Sequence, residues 1–157
     1  MKFKILVMDV DGTLTDGKIY IGSEGEMFKA FNVKDGLGIS KLHSNNIIPV
    51  IITGRKSEIN RIRSKELRIE EIYQGENNKI ERIKDIVRRY RCSLSEVAYI
   101  GDDDNDLQCM RACGFSGCPS DAIESVKEAV DMVCAKSGGQ GAVREFIEYI
   151  LDINLFN

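Results

Sequence analysis

Two aspartates two residues apart, Asp9 and Asp11, lie in the stretch Met8-Asp9-Val10-Asp11-Gly12-Thr13-Leu14-Thr15. A carboxylate held against a metal stays ionised and can attack phosphorus, forming an aspartyl phosphate. A second carboxyl at i+2 can protonate the leaving oxygen and later deprotonate the attacking water. Gly12 lets the backbone turn and come close to a ligand. Taken alone, Asp-x-Asp is as well explained by an acidic loop that meets only solvent. Three places downstream tip the balance towards chemistry. Thr53-Gly54-Arg55 offers a hydroxyl ahead of a helix N-terminus, which can be both an N-cap and a phosphate cradle. Lys79 opens a helix, where a cation is unfavourable for the helix dipole, so it is a candidate active-site cation. Asp102, Asp103, Asp104 and Asp106 crowd together, and such carboxylates repel one another unless a cation is present. Hard oxygen ligands beside phosphate suit Mg²⁺.

These residues need a scaffold, and the apolar pattern supplies one. Phe3 to Val7 reads as a buried strand ending at Asp9. Lys18–Ile21 and Glu26–Phe31 flank Gly22-Ser23-Glu24-Gly25 and predict a β-hairpin. Its Tyr20, Ile21, Met27 and Phe28 either pack on their own domain or form a subunit interface. A polar loop, Asn32–Gly36, then leads into a helix from about Leu37 to Ser44, where His43 is expected as a surface or capping residue. Further strands are expected at Ile47–Ile52, Ile69–Tyr73, Val97–Ile100, Gly114–Cys118 and Asp131–Cys134. Helices are expected over Lys56–Leu67, Lys79–Arg91, Leu107–Ala112, Asp121–Ala129 and Ala142–Leu151. Gly138-Gly139-Gln140-Gly141 has no nucleotide-loop spacing and is either a hinge or a close backbone approach to a site. Strands alternating with helices predict an α/β fold, a doubly wound and mainly parallel sheet. The candidate residues fall at strand ends or just after them, where open α/β sheets bind ligands.

At 157 residues the chain is read as one domain, 1–157. A net charge of −3 gives no electrostatic case for nucleic acid or an anionic membrane. No apolar run is long enough to span a bilayer and no signal-peptide pattern is present, so the cytoplasm is the expected compartment. The 5 cysteines (Cys92, Cys109, Cys113, Cys118 and Cys134) form no Cys-x-x-Cys pair and read as reduced thiols rather than zinc ligands.

The chain resembles the haloacid dehalogenase superfamily of phosphatases. The resemblance rests on Asp9-Val-Asp-Gly-Thr, Thr53, Lys79 and Gly101-Asp-Asp-Asp-Asn-Asp in the family's order. Within it, Leu14-Thr-Asp-Gly, Phe31-Asn-Val-Lys-Asp-Gly, Ile52-Thr-Gly-Arg-Lys, Tyr73-Gln-Gly, Asn78-Lys79 and Gly138-Gly-Gln-Gly-Ala-Val-Arg-Glu resemble the capless branch that acts on 3-deoxy-D-manno-octulosonate (KDO) 8-phosphate. The resemblance covers nearly the full length. It implies a Rossmann-like fold with a protruding hairpin at about 18–31 and no cap domain. It also implies a homotetramer built through the hairpins.

The roles it implies fall on individual residues. Asp9 is the nucleophile and a Mg²⁺ ligand. Asp11 is the general acid/base and offers its backbone carbonyl to the metal. Thr53 binds phosphoryl oxygens, and Lys79 screens charge between Asp9 and the phosphate. Asp102 ligates Mg²⁺, with Asp103 and Asp106 in support. Substrate contacts map to Asn32, Val33, Lys34, Asp35, Gly36, Arg55 and Arg63, as well as Lys79. The implied reaction is Mg²⁺-dependent hydrolysis of a phosphorylated 3-deoxy-2-keto sugar acid.

Two departures bear on the substrate. Ser40 stands where the branch often has arginine, and Gln140 replaces the arginine of its Gly-Gly-Arg-Gly. Both remove positive charge at the substrate end, which keeps a nine-carbon acid (2-keto-3-deoxynononate 9-phosphate or N-acylneuraminate 9-phosphate) as an alternative. Arg55 pulls back towards KDO, since relatives active on the nononate tend to carry glutamate there. A receiver-type phosphoacceptor domain is the non-enzyme alternative, but there the phosphorylated aspartate follows a later strand, and the strand at Ile69–Tyr73 offers none.

Overall fold

Strand β1 (Ile5–Met8) is buried along its whole length and takes a central place in the sheet. In the computed structural model, which describes residues 2–156, it pairs in parallel with β4 (Ile48–Thr53) on one side and β6 (Val97–Ile100) on the other. β5 (Glu71–Gln74) lies outside β4, and β7 (Phe115–Cys118) and β8 (Met132–Val133) lie outside β6. The strand order is β5-β4-β1-β6-β7-β8, with every pairing parallel. The chain winds outward from β1 to one edge and then returns to build the other. The crevice beyond β1 and β6 is therefore the topological switch point, the usual ligand site of such sheets.

Both faces of the sheet are covered, as the apolar strands require. Leu6 and Met8 join one core layer with Ile39 and Leu42 of α1 (Val33–Ser44) and Phe146 and Ile150 of α6 (Ala142–Phe156). Ile5 and Val7 point the other way, towards Ile83 and Ile86 of α3 (Lys79–Arg89) and Met110 of α4 (Leu107–Ala112). α2 (Glu58–Glu66) and the short α5 (Glu124–Lys127) complete the helices. The hairpin is a separate two-stranded antiparallel ribbon, β2 (Tyr20–Gly22) and β3 (Gly25–Phe28), with Tyr20 stacked on Phe28 at 4.2 Å. Ile21 and Met27 remain 67% and 63% exposed on it.

Several boundaries differ from the sequence expectation. Asn32–Gly36 is not a free loop: Asn32 caps α1 by accepting from the Lys34 amide, and Val33 to Gly36 form the first turn. The predicted helix over Asp121–Ala129 shrinks to Glu124–Lys127 because Asp121 is used elsewhere, accepting from the amide of Gly138. α6 runs past Leu151 to Phe156, where Asn154 exchanges two hydrogen bonds with the backbone of Phe3. That tie spans nearly the whole chain and leaves no local signal. His43 is exposed and donates to the carbonyl of Leu67 at the end of α2. All five cysteines are free thiols. No helix among the described residues is long and apolar enough to cross a membrane.

Candidate active site

Asp9 is fixed where β1 runs out, its amide still donating to Ile100 in the ladder with β6. Its Oδ1 accepts from Lys79 Nζ at 2.9 Å. Lys79 comes from the first turn of α3, behind the cap Asn78, and is itself buried. The same ammonium donates to Asp106 Oδ1 at 2.8 Å. Asp106 also accepts from the Tyr99 hydroxyl at 2.5 Å and from the amides of Asp102 and Asp103 at 3.0 and 3.2 Å. Every oxygen of Asp106 is thus engaged in holding Lys79 and folding the Asp102–Asp106 loop. Asp103 caps the short 3-10 turn of that loop by accepting from Asp104. Asp102 accepts from the Thr13 hydroxyl at 2.9 Å, which ties the two acidic loops together.

Asp9, Asp11, Thr53, Gly54, Arg55, Asp103 and Asn105 line a cleft of about 160 Å³. Five predicted residues, Asp9, Asp11, Thr53, Arg55 and Asp103, therefore meet at one opening. Gly12 makes the close approach possible: its φ is +93°, and a Cβ there would lie 2.0 Å from Asp102 Oδ2. The glycine cluster near the C-terminus is a close backbone approach rather than a hinge. A Cβ on Gly138 would lie 2.0 Å from the Gly12 carbonyl, and the Gly139 amide donates to Thr13.

The electrostatics ask for a cation. Burial pushes the Asp102 carboxyl well above its usual range, and the neighbouring charge of Asp9 adds to the effect. Asp9 is pushed up by burial and by Asp106, with Lys79 working the other way. Burial disfavours the Lys79 ammonium, but Asp9 and Asp106 outweigh it and hold its pKa above the usual value. One lysine thus faces a cluster in which Asp9, Asp102 and Asp106 place oxygens within 4.8 Å of one another. With Asp106 engaged, Asp9 and Asp102 are the carboxylates left to take an ion. Such hard oxygen donors fit Mg²⁺.

A residue absent from the sequence expectation completes the site. Lys29, just past β3, donates to Asp11 Oδ1 at 2.5 Å and pairs with Glu26 at 3.1 Å. Glu26 in turn accepts from the Ser57 hydroxyl. Asp11 Oδ2 has no hydrogen-bond partner among the described residues, and Arg55 Nε stands 4.0 Å away. The only local clue was a lysine three residues after a glutamate in an apolar hairpin strand.

The remaining predicted residues do not all reach the cleft. Asn32 donates to the Gly139 carbonyl at 3.2 Å, beside the loop that Gly12 begins. Val33 and Lys34 are exposed on the first turn of α1. Asp35 is buried instead, accepting from the Arg144 amide at 2.8 Å at the start of α6. Arg63 pairs with Glu66, lies over the Phe31 ring, and packs against Gly36, where a Cβ would come within 2.8 Å of its Nη2. Asp35, Gly36 and Arg63 border a separate small void of about 10 Å³, about the size of one water.

Comparison with known proteins agrees with this geometry. Residues 56–147 match the haloacid dehalogenase-like hydrolase family. The 3-deoxy-D-manno-octulosonate 8-phosphate phosphatase of Salmonella typhi is 41% identical over 148 residues, covering 94% of this chain and 79% of that protein. The solved structure of the Moraxella catarrhalis phosphatase of the same name, in complex with magnesium, phosphate and KDO, superposes with a TM-score of 0.92. It is 41% identical, with 99% of this chain and 94% of that one covered. The cobalt-bound Haemophilus influenzae enzyme gives a TM-score of 0.93 at 40% identity, covering 96% of this chain and 88% of that one.

Proposed function

The chain belongs to the haloacid dehalogenase-like hydrolases, and from that premise we propose that it is a Mg²⁺-dependent phosphatase that hydrolyses KDO 8-phosphate to KDO and inorganic phosphate. The observation that carries this reading is the convergence of Asp9, Asp11, Thr53 and Arg55 on one cleft at the switch point of the sheet, with Lys79 bonded to Asp9 and an Asp102 oxygen within 4.8 Å of Asp9 behind it.

Asp9 attacks phosphorus through the oxygen not held by Lys79, giving an aspartyl phosphate. The buried ammonium keeps the nucleophile in line and offsets the repulsion between two anions. Asp11 protonates the departing sugar oxygen and then takes a proton from the water that hydrolyses the aspartyl phosphate. Thr53, at the end of β4, and Arg55 beyond it bind phosphoryl and substrate oxygens at the cleft mouth. Asp9, Asp102 and the backbone carbonyl of Asp11 would hold the Mg²⁺, which supplies Lewis-acid neutralisation of the phosphoryl oxygens. Asp103 and Asp106 shape the loop that presents Asp102, and Asp106 also anchors Lys79. Asn32, Val33 and Lys34 form the rim towards the sugar, and Lys34 offers a cation for a carboxylate. Asp35, Gly36 and Arg63 support that rim from beneath.

The exposed apolar hairpin supports assembly into a homotetramer, and the whole chain is read as one domain acting in the cytoplasm. A size measurement in solution that returned a monomer would remove the tetramer. Phosphate release with Mg²⁺ from KDO 8-phosphate, the two nine-carbon acid 9-phosphates and simple hexose phosphates tests the substrate. Strong preference for KDO 8-phosphate is expected. Preference for a nine-carbon acid would reassign the substrate but keep the chemistry, and hydrolysis of none by folded, Mg²⁺-binding protein would overturn the proposal.

A further inference from the structure

Lys29 lies outside the roles given so far, yet it is the best-buried cation of the hairpin region. Its side chain is 2% exposed, although it belongs to a ribbon whose other face is open to solvent. It sits in a polar chain. Gln74 at the end of β5 accepts from the Ser57 amide at 2.8 Å, the Ser57 hydroxyl donates to Glu26, and Glu26 pairs with Lys29 at 3.1 Å. The chain ends on Asp11 Oδ1.

An aspartate carboxyl turns about a broad, two-fold torsion, so nothing intrinsic decides which oxygen faces a substrate. A buried ammonium held from behind by Glu26 removes that freedom. It occupies Oδ1 and leaves Oδ2, a buried oxygen without a partner on a residue that lines the cleft, as the one to exchange protons. We propose that Lys29 is a positioning residue that clamps Oδ1 of Asp11 and so presents Oδ2 to the bridging oxygen of the departing alcohol, with Glu26 and Ser57 holding Lys29 in place. The inference rests on the phosphatase reading above. In the step it serves, the Asp9–phosphorus bond forms, the bond from phosphorus to the bridging oxygen breaks, and the proton of Asp11 Oδ2 passes to that oxygen.

The readout is the dependence on leaving group. An alkoxide needs the proton of Asp11, whereas 4-nitrophenolate leaves without it. For Lys29→Met, kcat/KM on a sugar-acid phosphate should fall about 100-fold, in the range of lost general acid catalysis, while kcat/KM on 4-nitrophenyl phosphate should fall less than about threefold. Lys29→Arg should recover part of the alkyl rate. If Lys29→Met loses its cooperative melting transition, Glu26→Gln carries the same test, with about a 10-fold selective loss expected for weaker support of the acid. Equal losses on both substrates would make Lys29 a mere peg for the hairpin and overturn the inference, as would no loss on either. A wild-type protein that hydrolyses neither substrate would overturn the phosphatase reading itself, an outcome separate from any behaviour of the variants.

Discussion

Asp9 and Asp35 are both buried aspartates, and burial pushes both carboxyls up, Asp35 to about 6. Their surroundings differ. Asp9 ends a strand, touches a buried lysine, shares its space with Asp102 and Asp106, and opens onto a cleft. Asp35 lies in the first turn of a helix and accepts from one backbone amide, beside a void with room for about one water. A raised carboxyl is therefore no mark of catalysis by itself. What separates the two is convergence of further charged groups and access for a ligand.

The sharpest way to break this comparison is to neutralise each aspartate in turn. Asp9→Asn keeps the shape but removes the nucleophile, and Mg²⁺-dependent phosphate release should fall by about 10⁴-fold or more. Asp35→Asn should change it by less than about threefold, because Asp35 does not touch the reacting atoms and its removal costs no transition-state contact. A loss at Asp35 comparable to that at Asp9 would erase the distinction and return Asp35 to the substrate site.

Metal linkage sharpens the same contrast. Chelation should abolish phosphate release. Mg²⁺ at 100 times its dissociation constant should stabilise the wild type by about 2.7 kcal/mol, read as a rise in Tm. Asp102→Asn should erase that rise and Asp35→Asn should leave it intact. Gly12→Ala is the backbone version of this test. The new methyl group would meet Asp102 at a positive φ, so a stability loss of about 1–3 kcal/mol is expected together with weaker Mg²⁺ binding.

A pH effect of comparable size belongs to Asp35 alone. Its folded pKa of about 6 lies above the ordinary 3.8, so the folded protein keeps a proton that the unfolded chain has already released. Stability should therefore decline as pH rises from about 4 through about 6, by about 2–3 kcal/mol in all. Denaturant melts across that range should show a flatter profile for Asp35→Asn, whose amide oxygen can still accept from Arg144. An unchanged slope would mean that Asp35 ionises freely.

How much of this could be read from the sequence depends on how local each signal is. The strands β1, β4 and β6 were legible because parallel strands covered on both faces are nearly continuous apolar runs. Asp9, Asp11, Thr53 and Asp102 were legible as candidates because each follows such a run, and the strand ends of a parallel sheet share one edge. Lys79 stood out for sitting against the helix dipole. Lys29 did not stand out, because its partner Asp11 lies across a hairpin and nothing in sequence says that the ribbon folds back. For Asp35 and Arg63 the sequence showed residue types that suit a sugar acid but not their placement: α1 buries Asp35 against α6, and Gly36 gives the Arg63 side chain room beside α1.

By itself, then, the sequence determined the layered α/β architecture, the acidic strand ends and the hard-oxygen chemistry they suit, since periodicity and residue type are local properties. The tertiary structure decided which carboxylate is free and which is spoken for. Asp106 is consumed by Lys79, Tyr99 and two amides, Asp11 is clamped on one oxygen by Lys29, and Asp35 is sealed inside. Those outcomes depend on contacts between residues far apart in the chain, and a hydrogen bond made to one partner is no longer available to another.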